Sequence, residues 1–294
     1  YKATVIGLAG FFTPLVFVFI VSYYLLALSY AQAVIVSIAL STTSLSLVYC
    51  VLHCKYAQDQ KLYQLVISTS AIIDFFTILS LTLFVRPPDI ESLIYVTILV
   101  VVLLLSPKIS KKFLERYRGK NAEMEIRLII LLLLTLSFIT RHVSVGETVV
   151  VFALGLFLAR VYDEEVETKE KVRGLIFGFL APIFFFQAGL LMELSYVTAE
   201  TLLFSVIFGV TAYVGKYVGI YTIVRKFLNE SAAKTLGFLF NVRLAFALIV
   251  AIFALEEGII TIQIYTSIIL ATLLGTLFSS SVLKLTPQET LTTI

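Results

Sequence analysis

The chain has 294 residues, of which 60% are hydrophobic and only 14% are charged, with a net charge of +3. A soluble domain carries roughly 45–50% apolar and about 25% charged residues, so a water-soluble globular class is excluded and an integral membrane protein is expected. The small positive balance lies in short loops, where it speaks to topology and gives no footing to a nucleic-acid partner.

The apolar runs are continuous and not alternating, which favours a bundle of helices over a transmembrane barrel. At about 20 residues per crossing, roughly ten candidate spans follow, near 4–29, 32–52, 63–85, 92–106, 125–140, 145–161, 172–194, 201–224, 233–255 and 261–284. The chain opens on Tyr1 with no charged leader before its first apolar run, so further sequence ahead of it is expected.

The second span holds Ser41-Thr42-Thr43-Ser44 near its centre, a point where the helix is expected to break. Freed backbone groups at the midplane are tolerated only where they line a cavity. The other reading of this run is hydroxyls bonding back to their own helix carbonyls. Cys50 and Cys54, the only cysteines, fall near the end of this span. They are too few for a disulfide framework or a four-ligand metal site and read as buried or interfacial thiols.

The third span carries a single charge, Asp74, at its middle. An ionisable side chain at that depth costs about 2.5–3.5 kcal/mol on insertion scales, so it normally faces a polar cavity and marks an ion or proton pathway. The alternative is a structural Asp hydrogen-bonded to a neighbouring Ser or Thr. Further along, Glu147, Arg160, Glu193, Glu256 and Glu257 lie near span ends, where snorkelling to the headgroups is the default.

The eighth span contains Tyr213-Val214-Gly215-Lys216-Tyr217-Val218-Gly219. Two glycines four residues apart let another helix approach closely. Lys216 is expected to point into the bundle, either as part of the ion site or as a cation neutralising the carbonyl end of a broken helix. The ninth span contains Asn241-Val242-Arg243 near its centre, a second expected break. Arg243 keeps its charge in any protein environment, which suits it to pinning carbonyls at that break.

Basic residues gather after alternate spans: Lys55 and Lys61; Lys108, Lys111, Lys112, Arg116, Arg118 and Lys120; Lys169, Lys171 and Arg173; Arg225, Lys226 and Lys234; and Lys284. The loops between are poor in Lys and Arg, with Arg86 and Arg141 as single exceptions. That alternation places both ends of the segment in the cytoplasm. The first three and last three spans have similar lengths and spacings, and their starts are an odd number of spans apart. They are therefore expected to form inverted-topology repeats with a site at their interface. The division that follows is 1–88 as the first repeat unit, 89–199 as intervening helices, and 200–294 as the second, inverted unit.

Asp74, Lys216 and Arg243 all lie in the repeat units. A carboxylate out of bulk water can be held where a proton and a small cation compete for the same oxygens, and hydroxyls of Ser41, Thr42 and Thr43 with freed carbonyls can complete an oxygen shell for Na+ or K+. Asn241 and the two cations flank that site. No HExxH, GxSxG, P-loop or dinucleotide fingerprint is present, and His53 and His142 fall in loops. Neither an enzyme nor a cofactor is expected.

These residues resemble the monovalent cation/proton antiporter superfamily, in the branch holding bacterial and archaeal sodium/proton antiporters and potassium-efflux antiporters. Ala33–Leu52 resembles its Ser/Thr-rich broken helix, Ser68–Leu83 its acidic helix, Phe177–Leu194 its phenylalanine-rich span, Tyr213–Gly219 its lysine-bearing core helix, and Asn241–Leu248 its second broken helix. The resemblance implies an all-α polytopic bundle with two discontinuous crossing helices. A core domain of inverted three-helix units would sit beside a scaffold that forms a homodimer and includes Phe184–Phe186. It implies about three more helices ahead of Tyr1, a multi-pass location in lipid (the plasma membrane of a prokaryote), and exchange of Na+ or K+ for H+ by alternating access. Where the sodium/proton members carry two adjacent acids this chain has Ile73-Asp74, so Lys216 is kept while its usual acidic partner is lost. Two other functions are weighed against exchange: symport of an organic anion on the same fold, and a non-coupled ion-sensing or channel-like module.

Overall fold

Backbone groups in lipid have no partner but their own chain, so continuous apolar runs close into helices, and every regular element among the described residues is helical. The computed structural model describes residues 1–44, 48, 60–85, 101, 104–105, 108–112, 123–140, 147–159, 162 and 165–285. Most of the expected fourth span, together with Cys50, Cys54, His53, Lys55, Arg86, Arg116, Arg118, Lys120, Arg141, His142 and Arg160, lies outside them.

The helices are α1 (Lys2–Ile20, continued by a π turn over Val21–Leu25), α2 (Tyr30–Leu40), α3 (Gln60–Val85), α4 (Met124–Thr140) and α5 (Glu147–Ala159). They continue with α6 (Val166–Leu175), α7 (Ala181–Leu190), α8 (Ala199–Val224), α9 (Glu230–Leu239), α10 (Ala245–Glu256) and α11 (Ile262–Leu285). Five stretches are long and apolar enough to cross a bilayer: Lys2–Leu25, Gln60–Phe84, Val166–Leu190, Ala199–Val224 and Ile262–Lys284. The molecule is thus a polytopic helical membrane protein.

Polar caps mark where several helices begin. The Ser29 hydroxyl accepts from the Gln32 amide while the Gln32 side chain accepts from the Ser29 amide, a reciprocal box opening α2. Thr198 caps α8 and Asn229 caps α9 in the simpler way.

Residues Tyr1–Thr77 and Leu190–Ile294 form one compact unit, and Ile78–Gly189 a second. In the first unit α1 lies directly on α8. A Cβ added at Gly219 would sit 2.8 Å from the Thr13 hydroxyl and 2.9 Å from the Ala9 carbonyl, and one at Gly215 would sit 3.0 Å from the Pro14 Cα. The glycines expected to admit a neighbouring helix therefore admit α1. Around this contact Ile6, Phe11, Ile73, Ile220, Leu236 and Phe240 form an apolar cluster drawn from α1, α3, α8, α9 and the segment after α9.

In the second unit, Leu128, Leu132 and Leu136 of α4 pack with Val150, Leu154 and Leu158 of α5, both at helical i,i+4 spacing. Helices α6 and α7 are joined without interruption by a π turn over Ile176–Leu180. Pro182 explains the turn: it has no amide hydrogen to return to Gly178, and the ladder widens locally to accommodate that loss.

Candidate functional site

Two helices stop inside the first unit, and the segments that follow them are hydrogen-bonded to each other. Helix α2 ends at Leu40 and Ser41–Ser44 are non-helical; the Val48 amide then donates to the Ser44 carbonyl at 3.0 Å, the helical i→i+4 pattern again. Helix α9 ends at Leu239 and α10 starts at Ala245, which leaves Phe240–Leu244 as the second break. The Ser44 amide donates to the Val242 carbonyl at 2.8 Å, and the Thr43 hydroxyl donates to the Phe240 carbonyl at 3.2 Å. The hydroxyl run at 41–44 and the Asn-Val-Arg triplet thus mark the two breaks.

A helix that ends away from water leaves carbonyls without partners and the negative pole of its dipole exposed. Two cations meet that need. Lys216, fully buried, donates from Nζ to the carbonyls of Ser41 at 2.7 Å and Thr42 at 2.5 Å. The Arg243 guanidinium donates to the carbonyl of Leu40, to that of Ala212 at 3.1 Å, and to the Asn241 side-chain oxygen. Asn241 in turn donates from Nδ2 to the Gly237 carbonyl at 2.9 Å. One guanidinium therefore ties together the end of α2, the middle of α8 and the break after α9. Its planar fork of donors suits this divergent task.

Asp74 lies on α3, only 3% exposed, and its Oδ1 is buried with no hydrogen-bond partner. Among the described residues no ion pair joins it to Lys216, whose ammonium is on the Ser41 and Thr42 carbonyls. One helical turn earlier Ser70 is also fully buried with an unpartnered hydroxyl. Residues four apart on a helix share a face, so α3 carries two oxygen groups with unmet bonding capacity side by side. The nearby threonines spend their protons on their own helix: Thr69 on the Leu65 carbonyl at 2.7 Å and Thr77 on the Ile73 carbonyl at 2.9 Å. The reading of Asp74 as a scaffold residue held by Ser or Thr finds no bond at Oδ1.

The hydroxyls of the first break are placed in two ways. Ser41 donates back to the Ser37 carbonyl at 2.6 Å and Thr42 to the Ala39 carbonyl at 3.0 Å, whereas Thr43 crosses to the other break. A hydroxyl that has given its proton to a carbonyl keeps its lone pairs for a cation. Back-bonding and ligation are thus compatible at Ser41 and Thr42.

Ile73 is fully buried in the apolar cluster, and its Cδ1 lies 3.1 Å from where a Cβ on Gly10 would be. The position beside Asp74 is a packing position against α1. Lys216, without an acid there, spends its donors on backbone carbonyls.

Ser70 was not singled out in the sequence, though its spacing of four from Asp74 was the available signal. Thr276 of α11 was also missed. Its hydroxyl donates to the Arg243 carbonyl at 2.7 Å and accepts from the Arg243 amide at 3.3 Å. No sequence pattern reveals a side chain whose partner is a distant backbone. Among the described residues no group of three or more His, Cys, Asp or Glu comes together.

Comparison with known proteins adds an independent line. The family profile described as "Sodium/hydrogen exchanger, transmembrane" matches residues 1–286. A protein named Na(+)/H(+) antiporter NhaS4, from Synechocystis, is 27% identical over 205 residues, covering 68% of this chain and 50% of its own length. A second, named Probable Na(+)/H(+) antiporter 3, from Methanocaldococcus jannaschii, is 23% identical over 303 residues, covering 96% of this chain and 75% of its own length. The chain thus spans about half to three quarters of these relatives.

Proposed function

We propose that this chain, which belongs to the transmembrane sodium/hydrogen exchanger family, exchanges a monovalent cation for protons across the membrane, with Asp74 taking either ion in turn. Na+ is the first candidate cargo, since both relatives are named for it, and K+ the second. The observation that carries the reading is the buried Asp74 Oδ1, which has no protein partner. A carboxylate oxygen in such a place is costly unless a proton or a cation occupies it.

On this reading Ser70 is the neighbouring ligand on α3, and oxygens of Ser41, Thr42 and Thr43 complete the shell. Lys216, Arg243 and Asn241 hold the broken ends in place around it. A proton and a cation cannot share the same lone pair, so loading one releases the other, and coupling follows from competition. With Ile73 in place of a second acid, one carboxylate works per cycle and exchange is electroneutral, one for one.

The same reading takes 1–88 and 200–294 as two inverted repeat units, 89–199 as linker and scaffold, and a homodimer as the assembled form. The joining of Tyr1–Thr77 with Leu190–Ile294 into one compact unit supports that division. The test is proton flux in proteoliposomes of the full-length protein under an imposed Na+ gradient, then a K+ gradient. Asp74→Asn should bring flux to the empty-vesicle level for both, and cation-coupled proton flux that survives the substitution rejects the assignment.

A further inference from the structure

The segment between α9 and α10 needs a partner for its backbone, because a break inside a bilayer leaves amides and carbonyls that water does not reach. Val242 passes its carbonyl to Ser44. Arg243, the next residue, passes both of its backbone groups to one side chain on another helix. The Thr276 hydroxyl of α11 accepts from the Arg243 amide at 3.3 Å and donates to the Arg243 carbonyl at 2.7 Å. A single hydroxyl thus stands where a paired strand would stand in a sheet, satisfying a donor and an acceptor of the same residue.

From that geometry we propose that Thr276 is a positioning residue for ion binding: it fixes the backbone of Arg243 and, through the Arg243 side chain, the oxygens offered to the cargo. The chain of contacts is continuous. Thr276 sets the Arg243 backbone, the Arg243 guanidinium holds the Leu40 and Ala212 carbonyls and the Asn241 side chain, and Leu40 ends α2 immediately before Ser41, Thr42 and Thr43. Thr43 is also bonded to Phe240 at the start of the same break. A shift of Arg243 therefore moves the first break from two directions. The hydrogen bonds of the Thr276 hydroxyl go to the Arg243 backbone and not to Asp74, so its loss changes where the ligands stand and not which ligands there are.

The inference rests on the exchange function proposed above, and two readouts keep the two apart. Thr276→Val keeps the shape and removes both hydrogen bonds, whereas Thr276→Ser keeps them. In the full-length protein, Thr276→Val should speed amide exchange at Arg243 by about tenfold or more and raise the KM for Na+ about tenfold with kcat within about twofold. Thr276→Ser should match the wild type in both. Faster amide exchange with an unchanged KM makes Thr276 a purely structural contact and overturns the proposal, as does no change in either readout. If Thr276→Val does not accumulate, Thr276→Ser decides: a wild-type KM supports the hydroxyl's role, and a KM raised about tenfold refutes it. A wild-type protein with no Na+-coupled proton flux sinks the exchange function itself, while the amide readout still reports on the pinning of Arg243.

Discussion

Replacing Ile73 by Asp would give the pair of adjacent acids that the family resemblance leads one to expect, and the structure predicts that it damages the protein instead of adding a second ion ligand. Ile73 is fully buried against α1 and α8, in a cluster with Ile6, Phe11 and Ile220. Truncating a buried aliphatic side chain of this size removes about 2–5 kcal/mol. A carboxyl left in this apolar cluster adds about 1–3 kcal/mol even when protonated. The sum, about 3–8 kcal/mol, is a large share of the roughly 5–15 kcal/mol that holds a typical protein folded. Lys216 is not a ready rescuer, since its ammonium already serves the Ser41 and Thr42 carbonyls. In detergent, Ile73→Asp should melt about 6 °C or more below the wild type, at about 2–4 °C per kcal/mol. Ile73→Val, a change of about 0.5–1.5 kcal/mol, should melt within a few degrees of it. An Ile73→Asp protein that melts with the wild type and gains voltage-dependent exchange, lost again on Lys216→Gln, refutes this reasoning.

Three other outcomes follow. If one carboxylate takes either ion, the KM for Na+ rises as pH falls, because protons then hold the site, and it rises by no more than about tenfold per pH unit; a steeper dependence of flux kinetics on pH requires a second titrating group. Ser70→Ala removes a neutral ligand and keeps the charge, so it should raise the KM for Na+ roughly three- to tenfold with little change in maximal rate; an unchanged KM removes Ser70 from the shell. Arg243→Lys keeps the charge and loses the fork that reaches Leu40, Ala212 and Asn241; it should destabilise the protein by about 3 kcal/mol or more in detergent melts, and a wild-type melting temperature shows the three contacts to be dispensable.

Much of this arrangement was legible because lipid is a strict solvent. A charge in mid-span, a run of four hydroxylated residues and an Asn-Val-Arg triplet are each conspicuous against apolar sequence, and they fall at Asp74, at the end of α2 and at the end of α9. Gly215 and Gly219 likewise told that a helix would come close, though not that it would be α1. What the sequence withheld were partners. Lys216 reads as part of the ion site or as a cation on the carbonyl end of a broken helix, and only the structure shows its ammonium on Ser41 and Thr42. Thr276 is one of many threonines in apolar helices, several of which bond to their own helix carbonyls, as Thr266 and Thr272 do on the same helix. Its role comes from the backbone across from it, which composition does not encode.

The placement of the two cations also bears on how exchange would be coupled. On the proposed mechanism Asp74 is neutral when it carries a proton and neutral when it carries Na+, and carries charge only when empty. Lys216 and Arg243 are occupied with carbonyls and an amide oxygen, so neither forms an ion pair that would neutralise the empty state. Moving a bare carboxylate through low-dielectric surroundings costs several kcal/mol more than moving a neutral group. On that mechanism the loaded forms would be the ones able to change the side they face, and an empty return, which would uncouple the ions, would be suppressed. Had Lys216 been paired with Asp74, the empty site would be a neutral salt bridge and that barrier would fall.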